Sequence, residues 1–201
     1  MAGFGLIPTR HLSGAPYNGQ FNEYVHLAND GAAIFVGSIV NLTGGGLAAT
    51  GAESGFKKLP VVAIVAAGSN AVGVCVGVKP VSFDSTRHCA ASTLRTIYVA
   101  DDPKLLFRVQ EDAVGGAIAD ASAGLNANWT SESGNTATGQ STQELDSSDV
   151  ATDTTGGLRI HRLIETPNNV AGATSAPLTQ WEVLIAEHQL MEATAQIGTD
   201  I

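Results

Sequence analysis

Alternation of apolar and small residues is the clearest pattern along this chain, and it predicts β-structure. Within residues 71–78 every second position is a valine, and the positions between them include Gly73, Cys75 and Gly77. A period of two places the valines on one face of a strand and the small residues on the other. Because an exposed glycine face only weakens a strand, we expect this face to lie against a barrel interior or a large side chain.

Eight segments in all carry runs of β-branched or aromatic residues. They are 24–28, 34–42, 61–66, 71–78, 94–100, 105–110, 158–164 and 180–187. Clusters of Gly, Asn, Asp and Pro separate them, including the predicted turn at 43–46, and these residues accept turn geometry. The spacing predicts an all-β fold, a β-barrel or β-sandwich of about eight strands. Segments 112–123 and 187–195 have room for short helices only.

Residues 59–78 are uncharged and long enough to imitate a membrane span. They contain Pro60 near the start and Gly68, Ser69 and Asn70 at the centre. These residues favour two strands joined by a hairpin over one membrane helix.

The N-terminal residues 1–23 are apolar without a helical or a strand period. We predict an extended arm here, followed by a β-domain over 24–201. The alternative is a first strand and a loop that cover the domain's own core, and the sequence leaves the two open.

An acidic, hydroxyl-rich stretch follows the sixth predicted strand segment, residues 105–110. Residues 109–158 contain eight Asp or Glu and no Lys or Arg, and residues 129–157 contain 12 Ser or Thr. Such a composition predicts a long insertion, a polar acidic surface excursion that faces solvent.

Composition limits the class of partner. The chain has 201 residues, enough for one core, and its net charge is -9 with only 14% charged residues. Nucleic-acid binding is therefore not expected, because phosphate neutralisation needs a basic stripe. A surface covered by small polar residues tolerates contact with other proteins. The N-terminus lacks the pattern of a signal peptide, so we expect synthesis in the cytoplasm, no membrane partner and two free thiols.

Candidate chemistry is sparse. The histidines are scattered, and neither a nucleophile elbow nor a paired zinc-ligand spacing occurs. Cys75, His88 and Cys89 form the only local Cys/His group, and residues 146–153 cluster oxygen donors without the calcium-loop pattern. Asp101 and Asp102 precede a proline and are interpreted as turn and cap residues. We expect no enzyme, no cofactor and no metal ion.

Several phrases in fixed order carry a resemblance over most of the chain. They are residues 5–8 (GLIP), 10–19 (RHLSGAPYNG), 35–42 (FVGSIVNL), 98–103 (YVADDP), 107–111 (FRVQE), 124–127 (GLNA), 144–148 (ELDSS) and 158–160 (LRI). In these phrases the chain resembles the capsid decoration (cement, head-stabilising) proteins of tailed bacteriophages. The resemblance implies a structural virion protein on the outer surface of the phage head. It also implies the major capsid protein as partner and a symmetric homo-oligomer, a dimer or a trimer.

On this interpretation the apolar residues of the N-terminal segment are candidate contacts to the shell or to a sibling subunit. They are Phe4, Leu6, Ile7, Tyr17 and Phe21. An alternative hypothesis is a β-sandwich binding module on the virion surface, for carbohydrate or another host-surface ligand, with Trp129 as stacking platform. Trp181 alternates with Val183 and Ile185 and is expected in the core. A small hydrolase would need a clustered site that the sequence does not contain.

Overall fold

The computed structural model describes residues 3–49, 58–131, 134–152, 156–171 and 178–191. Their regular structure consists of ten β-strands, and these residues contain no α-helix. The strands are β1 (Ile7–His11), β2 (Asn22–His26), β3 (Ile39–Ala49), β4 (Lys58–Ile64), β5 (Gly73–Val78), β6 (Arg95–Ala100), β7 (Leu105–Gln110), β8 (Asn126–Ala127), β9 (Leu158–Leu163) and β10 (Gln180–Ile185). Single 3₁₀ turns occur at Asp120–Ser122 and Ser147–Asp149. The predicted all-β class is confirmed. Each of the eight predicted segments overlaps a strand, and β1 and β8 add to them.

Two sheets organise these strands. Five strands close into a barrel in the order β2-β4-β3-β5-β6, with β6 pairing back onto β2. The other five form an open sheet in the order β1-β7-β10-β9-β8. The strand pairs are antiparallel except for β2 and β4, which meet in parallel through Val25 and Val61. The fold is thus a barrel with an attached sheet.

Two large apolar cores follow from this arrangement, beside a small cluster of Val25, Leu59 and Val61. One fills the barrel and consists of Tyr24, Ile34, Val40, Val62, Val72, Cys75, Cys89, Ile97 and Val99. The other joins barrel strands to the open sheet, where Phe107, Ile160 and Val183 pack with Val74 of β5. Trp181 is fully buried in this second core, which confirms the expectation drawn from its alternation with valine and isoleucine.

On β5 the predicted alternation holds for Val74 and Val76, which pack in the core that joins barrel and sheet, and for Cys75, which packs in the barrel core. A register shift between Cys75 and Gly77 in the pairing with β6 ends it, so Val78 packs against the barrel core and the predicted single valine face is wrong for Val78. A Cβ atom on Gly77 would come within 3.2 Å of the Tyr98 ring, so Tyr98 is the large side chain stacked across the strand. At Gly73 a Cβ atom would come within 2.3 Å of the Ala100 carbonyl oxygen. Only glycine permits this approach of two backbones.

The pairing of residues 59–78 differs from the predicted hairpin. β4 and β5 do form, but each pairs with β3, which lies between them. The predicted turn at 43–46 instead belongs to β3, where the register with β4 shifts between Leu42 and Leu47. The glycines here accommodate a bulge rather than a chain reversal. No helix in the described part of the chain has the length and hydropathy that a membrane crossing requires.

The N-terminal segment is partly built into the domain. β1 is the edge strand of the open sheet and pairs with β7, and Leu6 is 1% exposed. The Leu6 amide donates to the Gly37 carbonyl at 2.9 Å and so fixes the segment to the barrel. Residues 5–11 therefore contain a first strand that covers the domain's own core, which is the alternative left open by the sequence. The predicted extended arm over residues 1–23 is not confirmed.

The acidic stretch also enters the fold. Trp129 and Leu145 belong to the second core, and Ser141 and Gln143 are buried. The Gln143 side-chain carbonyl accepts a hydrogen bond from the Ile39 amide at 2.9 Å. A solvent-facing excursion is wrong for these residues, because their polar side chains supply hydrogen bonds that the buried backbone needs. Residues 135–138 and 148–149 are exposed.

Candidate functional site

The N-terminal segment borders three depressions, and its local geometry explains why. After β1 the chain turns through Gly14, whose φ is +89°, and runs back so that the Tyr17 amide donates to the Thr9 carbonyl at 3.0 Å. Positive φ is readily adopted by glycine. The return places the Tyr17 ring beside β1 and leads the chain to Phe21 and β2.

An apolar depression of about 250 Å³ lies between β1 and the barrel. It is lined by Leu6, Ile7, Pro8, Tyr17, Val36, Cys75 and Val76. Three of the five candidate contact residues meet here. Leu6 is buried at its base, while Ile7 and Tyr17 are half-buried and form accessible walls.

Phe4 is placed differently from the other candidates. Its ring lies beneath the Arg108 guanidinium, 5.2 Å from ring centroid to Cζ, in a cation–π contact. Phe4 therefore helps to hold an arginine on the outer face of the open sheet.

A polar cleft of about 500 Å³ lies at the other end of the segment. Its lining residues are His11, Tyr17, Gln20, Phe21, Asn22, Ala100, Asp101, Asp102, Leu105 and Leu190. Strand pairing brings them together, since His11 of β1 is opposite Leu105 and Asn22 of β2 is opposite Val99. The ends of β1 and β2 thus converge on the turn between β6 and β7.

Hydrogen bonds fix the carboxylates of this cleft. The Asp101 carboxylate accepts hydrogen bonds from the Asn22 side-chain amide at 2.9 Å and from the Tyr24 hydroxyl. Asp102 lies 2.9 Å from His11 Nδ1, and its other oxygen accepts from the Lys104 amide at 2.8 Å. Burial, and then the neighbouring Asp101 carboxylate, raise the pKa of Tyr24, so its hydroxyl remains a donor.

Phe21 forms an aromatic surface at the rim of the cleft. Its side chain is 48% exposed and packs on Tyr98, with ring centroids 4.4 Å apart and planes inclined by 31°. Phe21 also borders a third depression, which is completed by Asn22, Glu23, Tyr24, Leu59 and Pro60. One exposed ring is therefore accessible from two sides.

Sequence reasoning identified Tyr17 and Phe21 but not the polar half of the cleft. The Asp102 bond to the Lys104 amide confirms the turn role that was predicted for this carboxylate. The sequence signal for a second role, as the polar wall of the cleft, was a pair of adjacent carboxylates at the end of a strand, next to Pro103. His11 and Asn22 carry no local pattern that would have joined them to this turn.

A buried Cys–His–Asp arrangement lies inside the barrel. The sequence did not predict it, because its three residues are not grouped in a recognisable motif. Cys89 Sγ is 3.4 Å from His26 Nδ1, and His26 Nε2 is 3.4 Å from an Asp30 carboxylate oxygen. Burial raises the pKa of Cys89 to about 11, so the sulfur is a thiol rather than a nucleophilic thiolate at neutral pH. Cys89 and His26 are both fully buried, and no substrate reaches them in this conformation.

The local Cys75, His88 and Cys89 group does not form a ligand set. His88 stacks on Phe35 with centroids 4.8 Å apart, and both cysteines are free thiols, as expected. Within the described ranges, no three His, Cys, Asp or Glu side chains are grouped to hold a metal ion.

Trp129 is not a stacking platform. Its side chain is 1% exposed and belongs to the core between barrel and sheet. The expectation failed because the polar stretch after Trp129 folds back over it, with Leu145 pairing against it.

The outer face of the open sheet carries the most perturbed carboxylate. Glu182 of β10 accepts two hydrogen bonds from Arg10, at 3.0 and 2.7 Å, and one from Arg162 at 2.8 Å. Thr9 donates a further bond at 2.9 Å. Burial alone would raise the pKa of Glu182, but these donors outweigh it and lower the pKa to about 2.

Comparisons with protein-family models, curated proteins and solved structures find no match for this chain. Function is therefore inferred from the geometry described above and from the sequence phrases.

Proposed function

We propose that this chain is a structural virion protein that binds the outer surface of a tailed-phage head and stabilises contacts between major capsid protein subunits. The sequence phrases support the class of protein. The observation that carries the contact site is the apolar depression beside β1, where Ile7 and Tyr17 form accessible walls. A depression of this size suits one or two apolar side chains of a neighbouring protein.

The composition of the surface supports the same role. With only 14% charged residues, the chain exposes few long charged side chains. Docking such a surface costs less side-chain entropy than docking one rich in Lys and Glu. A protein that binds the assembled shell but not its separated parts stabilises it by about 2.7 kcal/mol per site at a concentration of 100 Kd. Many weak sites on one head then add up.

The roles of the candidate contact residues are refined by their burial. Leu6 supports the base of the depression from within the core, so the proposed contact passes through Ile7 and Tyr17. Phe4 lies under Arg108 and Phe21 lines the polar cleft, so neither lines the depression. The protein is further proposed to be made in the host cytoplasm, to act without catalysis, and to bind as a symmetric dimer or trimer.

The test is binding to heads of the phage that encodes this chain, prepared without it. The variant Ile7→Ala/Tyr17→Ala is expected to lose co-sedimentation with the heads while keeping the circular dichroism of the parent. Leu12→Ala is the matched control, because Leu12 is 45% exposed in the same segment but does not line the depression. Deletion of residues 2–20 would be a poor test, since it removes β1 and Leu6 from the fold.

Two outcomes would overturn parts of the proposal. A double variant that binds heads as tightly as the parent would remove the depression as the contact site. A parent protein that does not bind heads at all, or that is imaged elsewhere than on the outer lattice, would remove the proposed function itself.

A further inference from the structure

We propose that the polar cleft at Phe21 is a binding site for a short, neutral oligosaccharide. The cleft volume of about 500 Å³ lies in the range of small-ligand sites, roughly 300–1,000 Å³. This site shares Tyr17 with the shell contact proposed above, but its other lining residues are different, and it is accessible in the isolated chain.

The aromatic wall provides the apolar half of such a site. A pyranose ring presents a face of C–H groups that packs on a flat aromatic surface, while its hydroxyl groups point outward around the rim. Phe21 offers that surface, because the ring is 48% exposed and is held from behind by Tyr98. A ring held in place loses little entropy when a ligand stacks on it.

The polar wall provides the acceptors that sugar hydroxyls need. Asp101 is fixed by Asn22 and Tyr24, and Asp102 is fixed by His11. An ionised carboxylate has about four lone-pair directions, so each retains capacity for hydroxyl donors after these bonds. The side chain of Asp102 is 46% exposed, which leaves its oxygens accessible from the cleft.

Charge favours a neutral ligand over an anion or a cation. Two carboxylates in the wall repel phosphate and other acids. Four donors already bind these carboxylates, and they take up part of the hydrogen-bonding capacity that a cationic group would use. They are the Asn22 side-chain amide, the Tyr24 hydroxyl, the His11 ring and the Lys104 backbone N–H. Hydroxyl groups can donate charge-assisted hydrogen bonds to these carboxylates without bringing a further charge into the cleft.

The experiment measures saturation-transfer difference NMR on the intact purified chain with maltotriose, cellotriose, chitotriose and lactotriose as separate probes. At least one probe is expected to receive saturation from the protein. Phe21→Ala should weaken its binding by about tenfold or more, because loss of an aromatic anchor is costly at a binding site. Phe21→Tyr keeps the ring and should retain binding.

Phe83→Ala is the matched control, since Phe83 is a fully exposed phenylalanine that lines neither the cleft nor its neighbour. It should leave saccharide binding unchanged. Circular dichroism of each variant checks that the fold is intact.

Three results would overturn the inference. The first is that no probe receives saturation from the protein at millimolar concentration. The second is that Phe21→Ala binds the saccharide as tightly as the parent does. The third is that a tri-lysine peptide displaces the bound saccharide and binds more tightly than the saccharide. The last would identify the cleft as a site for basic peptide. A Phe21→Ala chain that loses saccharide but still binds heads would separate this site from the proposed shell contact.

Discussion

Gly157 lies flat against the indole ring of Trp129. A methyl group on Gly157 would come within 2.3 Å of Trp129 Cζ3 and within 2.9 Å of Cη2. Since carbon atoms in contact are normally separated by about 3.5 Å or more, the ring occupies the space that a side chain would need. The glycine that precedes β9 is therefore part of the packing that buries Trp129.

Gly157→Ala is expected to lower the free energy of unfolding by about 1–3 kcal/mol, the usual cost of overpacking a core. Urea unfolding followed by tryptophan fluorescence measures the change. Gly31→Ala is the control, because a Cβ atom there meets nothing within 4 Å and its φ is not in the left-handed region. Equal unfolding midpoints for the two variants would contradict the proposed packing.

Leu6→Ala tests whether the N-terminal segment belongs to the domain. Leu6 is 1% exposed, and truncating a buried leucine typically costs about 2–5 kcal/mol. The thermal midpoint of this variant should fall well below that of Leu12→Ala, whose leucine is 45% exposed. A segment that extends freely from the domain would give two variants of equal stability.

Much of the fold could be predicted where apolar residues alternate with small or polar residues along a strand. β5 and β10 show this period, and Trp181 was placed in the core from its neighbours Val183 and Ile185. β1 could not be found in this way. Its register with β7 shifts between Pro8 and Arg10, and all five of its residues are half-buried, so neither face is consistently apolar.

The candidate cleft depends on pairing that no local pattern records. His11, Asn22 and Asp102 are distant in sequence and become neighbours only because β1 pairs with β7 and β2 pairs with β6. Trp129 shows the opposite error. The composition around it is polar, yet its burial is decided by Leu145 and Gly157, which come from later in the chain.

The two thiols should be unreactive in the native protein. Burial raises the pKa of Cys75 to about 12 and that of Cys89 to about 11, and the thiolate is the reactive form. A disulfide-exchange reagent such as DTNB is expected to label neither cysteine at pH 8 and to label both in denaturant. Ser82→Cys adds an exposed thiol as a positive control. Rapid native labelling of two thiols in the parent would show that the barrel interior opens readily.

Glu182 should make the fold more stable above pH 4.5 than in acid. Its pKa is lowered from 4.5 to about 2 in the folded chain by Arg10, Arg162 and Thr9. The unfolded chain therefore takes up the proton first, and the stabilisation is lost as the pH falls from about 4.5 towards 2. At about 1.4 kcal/mol per pKa unit the loss is on the order of 3 kcal/mol.

The comparison of Glu182→Gln with Glu165→Gln isolates this contribution. Glu165 is exposed and outside the arginine network, so its variant should follow the acid dependence of the parent. Glu182→Gln should be less stable at pH 7, because Arg10 loses its bidentate partner. It should also lose less stability between pH 4.5 and pH 2.5, since the titrating group is gone. Urea unfolding midpoints at pH 7, 4.5 and 2.5 measure both effects, and parallel curves for the two variants would show that Glu182 is not the group responsible.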